Sequence, residues 1–285
     1  ARCELVRVAL PVAHTDVVEA GVPGNVIERV GLGDVAAAFA DDDLALAFAR
    51  DVDRLIDPDL PAVLGFDPAL GLDRQALLSA CHLTDEQLAD PDARIPFSTQ
   101  QSLWQELDLR LQHPEPGLLL GRNLTPGPFS VLSYLLQSSA TLGDALNAAL
   151  RYQRLGGEGG ELHIETRDDS LLLLYRPLHP QHPATRIRVL AMMACWVEMT
   201  RPLLDDFHLL GAQFRHAAPA DPAPYQDVFA CPLQFASDDY AIALPRALCQ
   251  VPLIQANPPL QQLLSQHAET LLARLPSASL SARVI

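Results

Sequence analysis

The sequence predicts an α+β fold, with a helical N-terminal section followed by an antiparallel sheet of about five strands covered by helices. Three observations predict it. Apolar residues recur at helical spacing through residues 73–155. After the glycines at 156, 157, 159 and 160 the period switches to two. Beyond them, hairpin signals outnumber the long crossovers that a parallel sheet requires, and a long apolar helix interrupts the strands.

Residues 1–60 form an N-terminal segment that fits this plan poorly. Leu5–Leu10 reads as a short strand, and Gly21, Pro23, Gly24, Gly31 and Gly33 punctuate loops. Residues 34–56 read as a helix capped by Asp34. Pro58, Pro61, Gly65, Pro68 and Gly71 then make a connector. Residues 73–83 form a short amphipathic helix, and Thr84 with Gln87 marks a capped turn. Ser98 or Thr99 caps the next helix, which carries Leu103, Trp104, Leu107, Leu109 and Leu111; His113–Gly117 ends it. Leu118–Arg122 is a brief apolar segment.

Residues 126–155 read as two helices meeting at a cap. Pro126, Gly127 and Pro128 break the chain; Phe129, Leu132, Leu135 and Leu136 then recur at helical spacing, and Ser138 or Ser139 ends the run. Thr141 is the N-cap of the second helix, with Asp144 at its third position. Residues 161–166 and 171–176 are the strands of a hairpin turning at 167–170. Residues 184–204 are the longest helix, apolar nearly all round from Val189 to Val197 and therefore buried. Further strands are predicted at 209–216, 233–235 and 240–244, a short helix at 223–229 and a last amphipathic helix at 258–275. These divide the chain into the segment 1–60, a unit at 61–275 and the start of a linker at 276–285.

With 285 residues, 49% of them hydrophobic, the chain can bury a full core. The net charge is −15, and all 20 basic residues are arginines. Such a surface repels phosphate backbones, so nucleic-acid binding by this chain is disfavoured. The five cysteines are scattered without a C-x-x-C pair, as for reduced thiols in a cytoplasmic protein. No signal peptide is visible, and no apolar run reaches the length a bilayer needs.

Catalytic and nucleotide-binding motifs are absent from the sequence, and no cofactor is implied. Gly156–Gly160 lacks a lysine and precedes a strand, so it reads as a connector and not as a phosphate loop. His179 and His182 sit among prolines with no carboxylate or thiol at ligand spacing, which favours a plain loop over a metal site. The long helix is different. It holds all three methionines of the chain, Met192, Met193 and Met199, together with Cys195 and Trp196. Such side chains pack a core or line an adaptable apolar pocket. Glu198 either faces solvent or needs a buried partner. A pocket between the helices of 129–155, helix 184–204 and the sheet would draw on Phe129, Tyr134, Gln137, Arg151, Tyr152, Arg186, Met192, Met193, Trp196 and Glu198. A carboxylate head would want Arg186, Arg188 or Arg151; an amine head would want Glu198.

The order of several segments carries a resemblance. Leu88–Phe97 (with Asp-Pro-Asp-Ala-Arg-Ile-Pro), Leu118–Arg122, Phe129–Leu155, Phe214–Asp221 and Val228–Phe235 resemble the N-terminal, arabinose-binding-like effector domain of AraC/XylS-type bacterial transcriptional regulators. The likeness runs from about residue 62 to 285. It implies a non-enzymatic sensor of a small effector that forms a homodimer; the Met/Trp lining suits an apolar or amphipathic effector, and the alternatives are a ligand-free dimerisation module or an enzyme on an α+β scaffold. In that family a linker leads to a helix-turn-helix pair that binds DNA. The chain stops at Ser279–Ile285, where that linker would begin, so the DNA-binding half is expected to lie outside it.

Overall fold

A computed structural model of the chain describes residues 72, 74–84, 96–111, 113–123, 131–155 and 159–275. The strand expected at 5–10, the helix at 34–56, most of the turn at 84–88, Phe129, Gly156–Glu158 and the tail 276–285 lie outside the described residues.

The helical section comes first. α1 (Arg74–Ala80) and α2 (Phe97–Arg110) bury Leu77, Leu103, Trp104 and Leu107 in a cluster that also takes in Leu120, Ala184, Ile187 and Ala191. α2 starts earlier than expected: Pro96 precedes it without a side-chain cap, and Ser98 and Thr99 lie inside its first turn. The segment around Leu118 is itself a helix, α3 (Pro116–Asn123). α4 (Val131–Gln137) and α5 (Leu142–Tyr152) follow. Thr141 caps α5 as expected, accepting from Asp144 N at 3.1 Å and donating to Asp144 Oδ2 at 2.8 Å.

The sheet is built by β1 (Gly160–Arg167), β2 (Ser170–Pro177), β3 (Gly211–Gln213), β4 (Leu233–Gln234) and β5 (Tyr240–Pro245), in the order β1-β2-β5-β3-β4. Three of its pairings are antiparallel, and β3–β4 is parallel. The parallel step arises because the connection from β3 to β4 passes through helix α7 (Ala223–Phe229), a crossover where a hairpin would have reversed the chain. β3 is shorter than the expected 209–216; Phe214, just past its end, still donates its N–H to Gln234 O of β4 at 2.8 Å and puts its ring into an aromatic cluster with Tyr225, Phe229 and Phe235.

The longest apolar run becomes α6 (Ala184–Thr200), with one 3-10 turn after it. On β2, Leu171, Leu173 and Tyr175 join the main core, where they meet Val189, Leu190, Met193, Ala194 and Val197 of α6. The alternate residues Leu172 and Leu174 form a separate apolar cluster with Ala241 on the opposite face. α8 (Pro258–Arg274), capped by Asn257, packs on α4 through Leu264, Ala268 and Leu271. Its leucine face is thus used within its own chain. Among the described residues, no helix is long and apolar enough to cross a membrane.

Candidate functional site

α6 positions the site. Its entry is fixed by the histidine-proline loop: His182 Nδ1 accepts from Ala184 N at 3.2 Å, and Thr185 Oγ1 donates to His179 O at 2.7 Å. One side of α6 is closed by α3, whose glycines let the two backbones approach. A Cβ at Gly117 would lie 2.5 Å from Ile187 O, and one at Gly121 would collide with Ala191 O. Arg188, Met192, Trp196 and Met199 recur on another side at intervals of three or four residues.

Arg188 is only 8% exposed. Its guanidinium donates from Nη1 to Tyr175 Oη at 2.8 Å and from Nη2 to Gly159 O at 2.9 Å. The rings of Tyr175 and Phe97 lie 5.7 and 5.8 Å from its Cζ. Gly159 is needed here, since a Cβ would run into the guanidinium. Among the described residues no carboxylate pairs with Arg188. Tyr175 in turn meets Trp196 edge-on at 6.0 Å.

The other two candidate arginines are already neutralised. Arg186 donates to Glu115 Oε1 at 2.6 Å, and Tyr225 donates to the other oxygen of Glu115 at 3.0 Å. Arg151 donates to Glu269 Oε1 at 2.5 Å, which also accepts from Tyr152 Oη at 2.6 Å. That pair raises Arg151 and lowers Glu269 relative to their ordinary pKa values, chiefly through their mutual hydrogen bond. Glu198 is half-buried and lies 3.8 Å from Arg201, so it makes only a loose pair.

The expected site residues therefore occupy separate environments. Met192 and Trp196 are half-buried against the main core, whereas Met193 is inside it. Tyr134 belongs to the cluster between α4 and α8, where burial raises its pKa, and Gln137 is half-buried at the end of α4. Arg151 and Tyr152 border a surface groove of about 530 Å³ between α5 and α8, with Asn147, Gln262, Ser265 and Gln266. Most of its lining residues are polar and its Arg151 and Glu269 neutralise each other, so it offers an apolar molecule no free charge as an anchor among the described residues.

The seam beside α6 suits such a molecule better. α5 and α6 both lay apolar side chains on the main core but do not pack closely against each other. Leu146, Ala149 and Leu150 of α5, Ile164 of β1, and Met192 and Trp196 of α6 are the half-buried apolar side chains that these elements lay on that core. Tyr175, Phe97, Gly159 and Glu115 were not expected as site residues. A β-strand tyrosine, a helix-opening phenylalanine and a glutamate between two prolines carry no spacing that marks them.

Residues 71–253 match the model of the arabinose-binding domain of AraC transcription regulators, N-terminal. The chain belongs to this family. A curated relative, the ornithine utilization regulator of Pseudomonas aeruginosa, is 29% identical over 219 residues, which cover 75% of this chain and 63% of the relative. The crystal structure of the transcriptional regulator CdpR from Pseudomonas aeruginosa shares the fold, with a TM-score of 0.50, 20% identity, and coverage of 73% of this chain and 72% of that one. The chain thus spans less than two thirds of the length of the curated relative. Both relatives are described as regulators, CdpR as a transcriptional one.

Proposed function

We propose that this AraC-type domain binds a small effector in the seam between α5, α6 and the sheet, and that binding controls DNA recognition by a separate helix-turn-helix unit. The observation that supports the reading is the half-buried Met192–Trp196 stripe of α6, on a core to which α5 and α6 both contribute without packing closely on each other. Mobile methionine and rigid indole together suit an adaptable apolar site. α5 supplies the coupling. One face carries Leu146, Ala149 and Leu150 at the seam, and the other carries Ala148, Arg151 and Tyr152 against α8. An effector that fits one placement of α5 better shifts the population toward it, and α8 carries that change to residue 275 and the linker at 276–285. The unit at 61–275 would then be the effector-binding body, acting as a homodimer in the cytoplasm.

The test is a thermal-shift screen with amino acids (ornithine among them), amines, fatty acids and sugars. An effector raises the midpoint in proportion to the logarithm of its concentration. Trp196→Ala abolishes that shift while leaving the ligand-free melting cooperative. A flat response across every class would remove the reading.

A further inference from the structure

Arg188 is a buried cation that the fold holds in place and that meets no carboxylate among the described residues. In a chain with 35 acidic and 20 basic residues, carboxylates are plentiful, and the fold uses them on Arg186 and Arg151. Both of those arginines are far more exposed than Arg188, with side chains 47% and 65% exposed. Among the described residues Arg188, at 8%, meets only the neutral oxygens of Tyr175 and Gly159. A desolvated charge without a counter-charge is costly, and the cost recovers when an anion joins it. A guanidinium has five N–H donors in a planar fork. Two are used here, so the fork still has donors to offer.

The surroundings fit the same conclusion. Phe97 and Tyr175 flank the guanidinium, and Gly159 lets the backbone pack directly against it. Met192 and Trp196 follow Arg188 at one and two helical turns, so an apolar stripe runs away from the charge.

We infer that Arg188 is the anion receptor of the effector site, and that the effector is a carboxylate with an apolar body laid along Met192 and Trp196. This rests on the seam reading above. A carboxylate completes the fork with charge-assisted hydrogen bonds, which are stronger than those to a neutral amide.

The experiment uses matched pairs on the 285-residue chain: octanoate with octanamide, 3-phenylpropanoate with its amide, and L-leucine with leucinamide. A Trp104→Phe background leaves Trp196 as the fluorescent reporter beside Tyr175. In at least one pair the acid is expected to bind about tenfold tighter than the amide. Arg188→Gln should erase that preference, and Arg188→Lys should keep part of it because the charge remains. Circular dichroism on each variant separates lost binding from lost folding. Equal binding of acid and amide in every pair, or a preference that survives Arg188→Gln, overturns the anion role and leaves the seam standing. No binding by any member of any pair removes both. If Arg188→Gln and Arg188→Lys both fail to fold, the wild-type comparison of acid with amide still decides.

Discussion

Tyr225 Oη holds three partners: it donates to Glu115 Oε2 at 3.0 Å, lies 2.7 Å from His216 Nε2, and has Arg186 Nη2 farther off at 3.4 Å. Because the phenol proton goes to Glu115, His216 donates from Nε2 and keeps Nδ1 bare. Nδ1 is buried without a hydrogen-bond partner. Burial, and after it the charge of Arg186, hold His216 down at about 4 from 6.5. The folded protein thus resists a proton that the unfolded chain accepts. The contribution of His216 to stability is complete above pH 6.5 and declines as pH falls from there toward 4, by at most about 3 kcal/mol at roughly 1.4 kcal/mol per unit. Between pH 6.5 and 5, His216→Gln should therefore show a flatter fall in urea midpoint than the wild type; parallel slopes would exclude His216 as the source. The same network explains what the sequence could convey about the site. Arg151, Arg186 and Arg188 were all legible as cations near the pocket. Which of them is free was not, because the neutralising Glu115 lies 71 residues from Arg186 and Glu269 lies 118 from Arg151.

α5 and α3 show why some helices were readable and others were not. α5 has a threonine cap, an aspartate at the third position and a continuous apolar face, so local chemistry and packing agree. α3 carries Gly117 and Gly121, residues that disfavour helix when considered alone. Those glycines serve the contact with α6 and not the helix itself. Gly121→Ala isolates the two effects. Helix propensity favours alanine by about 1 kcal/mol. Against that, the new Cβ meets Ala191 O and lies 2.7 Å from Ala194 Cβ, so the helices must part, and overpacking costs roughly 1–3 kcal/mol. Both contacts are with backbone or with Cβ, neither of which can rotate away, so the clash wins. The variant should melt below the wild type, and an unchanged or higher midpoint would show that the close α3–α6 approach is not obligatory.

At the scale of the molecule the apolar interior is divided. One cluster joins the sheet to α6 and α7, a second joins α1 and α2 to the start of α6, and a third joins α4 and α5 to α8. α8 has its closest packing with α4, and Glu269 ties it to Arg151 and Tyr152 of α5 by hydrogen bonds at the surface. Exposed pairs of this kind add little, so the leucine contacts decide how firmly α8 is held. Leu264 is 1% exposed in the third cluster and takes no part in the first. Leu264→Ala should cost about 2–5 kcal/mol locally, through lost transfer energy and the cavity left behind. If the clusters open independently, native-state hydrogen exchange in this variant will show faster exchange in α8 and α4 while β2 and α6 keep their wild-type protection. A body that can release its exit helix without melting its sheet is what a population-shift regulator requires. Equal loss of protection across β2, α6 and α8 would mean that the molecule opens as one unit, and coupling through α5 would then have no separate element to act on.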